Sequence, residues 1–321
     1  MDKEWKLELK LIFVFCVVLL FGILYFYGVG QMRLEQQLIA SKIAKVPEVF
    51  EEYNPNARTV FVYAPKSDYI LYAHHELTPL PLASLAKIMT STVALNVMDT
   101  GERVLIDEEV LKTYGDNGLV INESWVLSDL IKFMMFISSN DGAEAIARYH
   151  DSYLISNEPL NSSTFVSKMN STAESLGLSS LSFQSSSGLD EGNRATAFGT
   201  AKDIAQLYFR LHFEHSDIVE NSAVFKQTFT SIDGIPHTVT NTNILLEYDY
   251  DRIIGSKTGY TTIAGGNLIV LLNTPLEEPV VLVVLGSTID GRFGEMQKLL
   301  TETRELTDAL YSLGLTFPNL K

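Results

Sequence analysis

The chain has 321 residues, of which 46% are apolar and 20% charged, a composition typical of globular proteins and not of disordered ones. Its formal net charge of −15 argues against nucleic acid as a partner, because phosphate binding needs clustered Lys and Arg. The single cysteine, Cys16, excludes an internal disulfide and a metal site built from cysteines.

The N-terminus carries an uncharged apolar run over residues 11–29, behind a lysine-containing tail, residues 1–10. About twenty apolar residues cross the hydrocarbon core of a bilayer as a helix, so the run predicts a transmembrane anchor. Because Arg33, Lys42 and Lys45 follow the run, the cytoplasmic position of the tail depends mostly on the function inferred from the motifs. A cleaved signal peptide is the alternative. Its apolar region is usually about 7–15 residues long, and Gly28-Val29-Gly30 makes a poor cleavage site.

Residues 30–57 are polar and mixed in charge, and they end near the breaker pair Pro55-Asn56. We interpret them as a stalk or linker between the anchor and a globular domain over residues 58–321. One large α/β domain can absorb a segment of this length.

The predicted domain opens with two β-rich runs in residues 58–72, split by a turn at 65–68, which predicts a hairpin. Helical periodicity predicts helices over residues 84–98, 126–136, 143–149, 163–176 and 201–212, the last with Thr200 as its N-cap. Short β-branched runs predict strands over residues 252–256, 266–272 and 279–285, before a final helix over 293–313. Strands at both ends with helices between them indicate one sheet, built from distant parts of the chain, with helices packed on it.

The first motif that carries chemistry is Ser84-Leu85-Ala86-Lys87, at the start of a predicted helix. Side chains three residues apart lie on one helix face, so the Ser84 hydroxyl would have the Lys87 amine beside it as a base. Chance supplies about one such sequence in a chain of this composition, and a helix-start serine with a solvated lysine is the alternative. Apolar neighbours on both sides favour a half-buried lysine, whose pKa burial lowers.

A second polar motif, Ser138-Ser139-Asn140, lies between two predicted helices. A short loop there would project two polar side chains. By itself the motif is interpreted more simply as a helix cap, a role that Ser and Asn serve well.

A third motif, Lys257-Thr258-Gly259, lies at the end of a strand-like run. Lysine offers a positive charge, threonine a hydroxyl, and glycine lets a substrate backbone approach because it has no Cβ. A polar hairpin turn is the alternative interpretation of this motif.

In this order, the three motifs resemble the serine penicillin-recognising enzymes, whose signature is S-x-x-K, S-D-N and K-T-G. Longer segments narrow the resemblance to the low-molecular-mass D-alanyl-D-alanine carboxypeptidases of the DacA type, peptidase family S11. These segments are ASLAKIMTS, SSNDGAEAIA, FQSSSGLDEGNRATAFGTAKDIAQL and GSKTGYTTIAGGNLIV. The resemblance covers about residues 58–310.

The resemblance implies an α/β (α+β) protein of the β-lactamase/transpeptidase-like fold, with an antiparallel sheet flanked by helices, a mostly helical subdomain and an N-terminal transmembrane helix. It implies a serine-type D-Ala-D-Ala carboxypeptidase that trims peptidoglycan stem peptides, needs no cofactor or metal, and takes β-lactam antibiotics as covalent inhibitors. The catalytic domain would lie outside the cytoplasm, held at the cell membrane by the N-terminal helix.

The resemblance also assigns the catalytic roles. Ser84 would be the nucleophile that forms the acyl-enzyme, and Lys87 its general base. Ser138 would take part in the proton relay.

The substrate-binding residues follow from the same resemblance. Asn140 would hold the substrate amide, Lys257 would shape the electrostatics, and Thr258 would bind the terminal carboxylate. Gly259 and Tyr260 complete the set, and the backbone N–H of Tyr260 would form the oxyanion hole together with that of the nucleophile.

Three positions depart from the family's pattern. Ala86 replaces a frequent Thr, Ser139 stands where Gly is usual, and Lys202 replaces a frequent Arg. None of these departures removes a reacting group. Many family members carry a C-terminal β-rich domain with an amphipathic tail anchor, and here the N-terminal span would take the place of that anchor.

Other functions on the same fold are the alternatives to this interpretation. A β-lactamase would need a base that activates water, and Glu158-Pro159-Leu160-Asn161 is one residue too short for the class A motif and comes too early. A D,D-endopeptidase would use the same residues as the carboxypeptidase. A catalytically silent penicillin-binding scaffold is disfavoured because the motif residues are all present. The chain has no Gly-x-Ser-x-Gly elbow and no His-Glu-x-x-His zinc motif.

Overall fold

The computed structural model describes residues 4–51, 53–113, 118–157, 164–248 and 252–320. By its internal contacts the chain divides into two compact units. The first comprises Met1–Glu48 and Ala309–Lys321, and the second comprises Val49–Asp308.

The first unit contains the helix α1, Glu4–Ile43. Within it, Phe13–Ile43 is long and apolar enough to cross a membrane, and no residue of its most apolar window is buried. The helix runs past the predicted end of the apolar segment into the predicted stalk. The residues there explain the continuation, since Leu, Gln, Glu, Ala and Lys are good helix formers and no proline interrupts them.

The strands are β1 Thr59–Ala64, β2 Tyr69–His74, β3 Leu80–Pro81, β4 Arg103–Leu105, β5 Ser124–Val126, β6 Ser182–Phe183, β7 Ala197–Gly199, β8 Lys226–Thr230, β9 Pro236–Thr240, β10 Ile253–Thr261, β11 Gly265–Leu272 and β12 Val280–Ser287. The remaining helices are α2 Ala86–Val97, α3 Leu127–Ile137, α4 Asn140–Asn157, α5 Phe165–Ser175, α6 Ala201–Glu214, α7 Ser216–Glu220 and α8 Gly291–Leu313.

The main sheet has the order β10-β11-β12-β1-β2 and is antiparallel throughout. Phe61 in β1 is in register with Val283 in β12, so the two ends of the domain meet in the sheet as predicted. Strands β1, β11 and β12 are buried almost throughout, which agrees with their continuous apolar sequences. The predicted fold class, an antiparallel sheet with helices on it, is confirmed.

The helical part surrounds α2, whose first nine residues are all buried. Helices α3, α4, α5 and α6 pack against it. A helix buried on every side shows little amphipathicity, so its apolar sequence continues around the whole circumference. The last of these packing helices begins as predicted, with Thr200 Oγ1 accepting a 3.1 Å hydrogen bond from Asp203 N.

The sequence did not predict the small sheets, which have the orders β3-β7-β6, β4-β5 and β8-β9. Their strands are two to five residues long, too short for a clear period of two. The β8-β9 hairpin is threonine-rich and half exposed, so it does not have the apolar alternation of a core strand.

Candidate active site

The candidate nucleophile lies in a strained turn. Ser84 is the middle residue of a 3₁₀ turn, Ala83–Leu85, that leads directly into α2. Ala83 has φ +49°, a left-handed conformation that costs a residue with a Cβ roughly 1 kcal/mol or more. Gly188 packs tightly against this turn, because a Cβ there would lie 2.0 Å from the Ala83 carbonyl oxygen. The surrounding structure therefore holds the turn that presents the serine.

Lys87 is fully buried beside that serine. Its Nζ lies 2.9 Å from Ser84 Oγ, 2.8 Å from Asn140 Oδ1 and 2.8 Å from the carbonyl oxygen of Ser187. Burial lowers the pKa of Lys87 to about 7, although the nearby carboxylate of Asp141 favours the charged form. The sequence predicted a half-buried lysine, and the structure buries it completely.

The second motif is divided between two functions. Ser138 ends α3 in a left-handed conformation, φ +65°, and Asn140 is already the first residue of α4. The connecting loop is therefore shorter than predicted, and α4 begins three residues before the predicted start at residue 143. Ser139 Oγ accepts a 2.9 Å hydrogen bond from Gly142 N, so Ser139 caps the helix. The side chains of Ser138 and Asn140 instead accept hydrogen bonds from the two lysines of the site.

Lys257 lies opposite, on β10. Its Nζ donates to Ser138 Oγ at 2.7 Å and to the carbonyl oxygen of Thr258 at 2.8 Å. The side chain is 1% exposed. Burial lowers its pKa well below the usual value, and the neighbouring cations Lys87 and Arg292 lower it further.

The sequence predicted the third motif at the end of a strand. The structure places it inside β10 instead. Thr258 Oγ1 is 2.6 Å from Thr242 Oγ1. A Cβ at Gly259 would lie 2.9 Å from the Leu82 carbonyl oxygen and 3.3 Å from Ser84 N. Glycine is thus needed here for the approach of the nucleophile turn, whereas the sequence suggested the approach of a substrate. The Tyr260 side chain is exposed.

Four residues that sequence reasoning did not single out support this site. Ser187 and Thr242 bind motif residues, as described above. Asn267 Nδ2 donates to the carbonyl oxygens of Pro81 and Leu82, both at 3.0 Å. Arg292 donates to the carbonyl oxygen of Gly259. Asn267 had a signal in the sequence, a polar residue inside the apolar run GGNLIV, but nothing local identified its partners.

The structure therefore brings seven of the eight predicted site residues into one cluster, although the three motifs lie far apart in sequence. Tyr260 follows them in β10 with its side chain exposed. Among the hydrogen bonds of the described residues, Lys202 makes one through its backbone N–H, which donates to the Glu76 carbonyl oxygen. The segment 158–161, which is one residue too short for the class A β-lactamase motif, lies outside the described residues. Within the described part of the chain no group of three or more His, Cys, Asp or Glu could hold a metal ion.

Several known proteins are similar to this chain. A family model described as Peptidase S11, D-alanyl-D-alanine carboxypeptidase, matches residues 46–288. The D-alanyl-D-alanine endopeptidase of Escherichia coli K12 is 28% identical over 223 residues, 67% of this chain and 66% of that protein. The D-alanyl-D-alanine carboxypeptidase DacC of the same organism is 31% identical over 232 residues, 68% of this chain and 54% of that protein. The chain thus spans about half to two thirds of the length of these curated relatives.

Solved structures share the fold. A D-alanyl-D-alanine carboxypeptidase from Mycobacterium tuberculosis H37Rv superposes with a TM-score of 0.67 at 23% identity, covering 80% of this chain and 94% of that one. Penicillin-binding protein D2 from Listeria monocytogenes, in an ampicillin-bound form, superposes with a TM-score of 0.63 at 27% identity, covering 78% of this chain and 98% of that one.

Proposed function

Because this chain belongs to the Peptidase S11 family of D-alanyl-D-alanine carboxypeptidases, we propose that it is a serine-type D-Ala-D-Ala carboxypeptidase that trims peptidoglycan stem peptides. One observation carries the proposal. A fully buried lysine, Lys87, has its pKa lowered to about 7 and lies 2.9 Å from the hydroxyl of Ser84. A hydroxyl paired with an amine that is about half neutral near pH 7 is an activated nucleophile.

Acylation begins when neutral Lys87 takes the proton of Ser84 Oγ. The oxygen then attacks the carbonyl carbon of the penultimate D-Ala, and the developing negative charge on the carbonyl oxygen is stabilised by the backbone N–H groups of Ser84 and Tyr260. Each such donor is worth about 10²–10³ in rate.

The C–N bond breaks next, and the amine of the leaving D-Ala must gain a proton. Ser138 can deliver one, since its hydroxyl is held at 2.7 Å by Lys257 Nζ. Lys257 Nζ, which donates to Ser138 Oγ, replaces the proton that Ser138 gave away. Water then attacks the acyl-enzyme and passes a proton back through Ser138 to Lys257. As the ester bond breaks, Lys87 returns its proton to Ser84 Oγ, and the shortened peptide leaves with a free carboxylate.

Substrate orientation follows from the rest of the cluster. The Thr258 hydroxyl is the donor for the terminal carboxylate, and the Asn140 amide is a partner for the peptide backbone. A β-lactam presents the same carboxylate and a strained amide to Ser84, so it acylates the enzyme as a covalent inhibitor. We propose the peptidoglycan stem peptide as the substrate and no nucleic-acid partner.

Membrane attachment is part of the same proposal. Residues 1–10 form the cytoplasmic tail, 11–29 the anchor, 30–57 the stalk and 58–321 the peptidase domain, which lies outside the cytoplasm where peptidoglycan is found. Support comes from the apolar exposed helix within Phe13–Ile43. A reporter enzyme that is active only outside the cytoplasm, fused to the C-terminus, should be active.

Labelling with fluorescent penicillin tests the reaction. The full chain in detergent should label covalently, and Ser84→Ala should not. Product analysis with a pentapeptide should then show released D-Ala, whereas a D,D-endopeptidase would instead cut a cross-linked dimer and a β-lactamase would consume penicillin quickly. Absence of labelling in the folded wild type would refute the proposal.

A further inference from the structure

A buried arginine at the start of α8 has no role in the steps proposed so far. Arg292 is 7% exposed, and its Nη1 donates a 2.8 Å hydrogen bond to the carbonyl oxygen of Gly259. Its guanidinium lies 4.7 Å from the centre of the Phe293 ring. Its Nε is buried without a hydrogen-bond partner among the described residues. A buried cation that is only partly paired costs stability, which suggests that Arg292 has a functional role.

The position of Arg292 is electrostatically unfavourable in two further ways. It is the second residue of α8, where the helix dipole disfavours positive charge. It also lowers the pKa of Lys257, which shows that the two cations repel each other. Burial lowers the pKa of Arg292 itself to about 10, with Asp290 acting in the opposite direction. The guanidinium therefore remains charged at neutral pH.

The hydrogen bond to Gly259 determines the direction of the next N–H group. The carbonyl of Gly259 and the N–H of Tyr260 belong to one planar trans peptide, so they point in opposite directions. Arg292 reaches this carbonyl across Gly266 of β11, the register partner of Tyr260, because a Cβ at Gly266 would lie 3.2 Å from Arg292 Cδ. The Tyr260 N–H therefore points away from Arg292, and β10 is the end strand of the sheet.

Gly259 in β10 lies directly against the nucleophile turn. A Cβ at Gly259 would lie 3.3 Å from Ser84 N, so the peptide that Arg292 binds is in contact with the turn that supplies the other oxyanion donor. We propose that Arg292 is a positioning residue that orients the Gly259–Tyr260 peptide and thereby aims the Tyr260 N–H into the oxyanion hole. This inference rests on the proposed function. A charged donor on the carbonyl also polarises the peptide, which makes its N–H a stronger donor.

The test compares acylation rates of the full chain in detergent for wild type, Arg292→Met and Arg292→Lys. Removing an oxyanion donor outright costs about 10²–10³ in rate, so loss of its orientation by Arg292→Met should lower the acylation rate about 10- to 100-fold. KM for a D-Ala-D-Ala peptide should change less than about twofold, because Thr258 still binds the carboxylate. Affinity for a peptide boronic acid, which forms a tetrahedral adduct on Ser84, should fall in parallel with the acylation rate.

The lysine variant separates orientation from charge. Arg292→Lys keeps the charge but lacks the planar fork of donors, so it should show an intermediate loss. Lys298→Met is the matched control, since it removes a positive charge from an exposed position on the same helix and should acylate as wild type does.

Three results would overturn the inference. The first is wild-type acylation by Arg292→Met. The second is a loss that disappears at another pH, which would mean that Arg292 acts only through the charge of Lys257. The third is a loss in KM alone. If Arg292→Met does not fold, Arg292→Lys decides by the same criteria. A wild-type chain that forms no adduct at all refutes the proposed function, and the inference with it.

Discussion

Lys257 Nζ donates a 2.7 Å hydrogen bond to Ser138 Oγ across 119 residues of sequence. Lys87 is separately bonded to the other serine, Ser84. Ser84 and Ser138 therefore each have their own lysine, and the two pairs lie on different elements. This arrangement allows one pair to remove a proton from the nucleophile while the other supplies a proton to the leaving group.

The pH dependence of acylation should report the lowered pKa of Lys87. The base must be neutral, and its pKa is about 7, so the acylation rate should rise with pH up to about 7 and then level off. Lys87→Arg, whose guanidinium stays charged, should lose about 10²–10⁴ in rate. Stopped-flow labelling between pH 5 and 9 measures both effects, with the surface substitution Lys298→Arg as the control. A flat profile in the wild type would contradict the assignment of the base.

Burial of Lys87 should also make stability depend on pH. The unfolded lysine titrates near 10.5 and the folded one near 7, so between these values the unfolded state binds more protons and stability rises with pH. The cost of burial is complete below pH 7, where it amounts to roughly 5 kcal/mol, and it vanishes toward pH 10.5.

Lys87→Met should therefore gain stability over the wild type most at pH 6–7 and progressively less as the pH rises. Lost hydrogen bonds to Asn140 and Ser187 offset part of the gain, by about 1–3 kcal/mol each. Urea unfolding at pH 6, 7.5 and 9 gives the difference. A difference that does not change with pH would be inconsistent with a lowered pKa.

The hydrogen bond between Thr242 and Thr258 should influence substrate affinity. Thr242 Oγ1 lies 2.6 Å from Thr258 Oγ1 and restricts where that hydroxyl can point. Thr242→Val should raise KM for a D-Ala-D-Ala peptide about fivefold, the equivalent of one hydrogen bond of ~1 kcal/mol, with little change in kcat. The control is Thr238→Val, which breaks the exposed pair of Thr238 with Thr228. Equal KM values for the two variants would argue against this role.

The close approach of β10 to the nucleophile turn makes Gly259 sensitive to a methyl group. Gly259→Ala would place a Cβ 2.9 Å from the Leu82 carbonyl oxygen and push the turn away. A displacement of about 1 Å can cost on the order of 10² in rate, so acylation should fall by at least that factor.

Gly294→Ala is the matched control for that substitution. Gly294 lies in α8 with nothing within 4 Å of an added Cβ, so alanine should stabilise the helix by up to about 1 kcal/mol and leave acylation unchanged. Thermal unfolding and labelling of both variants give the comparison. Wild-type acylation by Gly259→Ala would show that the turn can move without loss.

The sequence by itself determined the features that depend on local pattern. The apolar run behind α1, the hairpin of β1 and β2, the buried strands β11 and β12 and the N-cap at Thr200 all follow from periodicity and turn chemistry. The motif beginning at Ser84 also predicts its own contact with Lys87, because helical spacing places the two side chains on one face.

Only the tertiary structure decided which residues support these motifs. The bonds from Lys257 to Ser138, from Asn267 to the carbonyl before Ala83 and from Arg292 to Gly259 join elements that are distant in sequence, and no local spacing specifies such pairs. Packing also decided how deeply Lys87 is buried, and burial is the physical cause that lowers its pKa. Short-range chemistry thus singled out Ser84 as the proposed nucleophile, whereas long-range packing determined the environment of its hydroxyl.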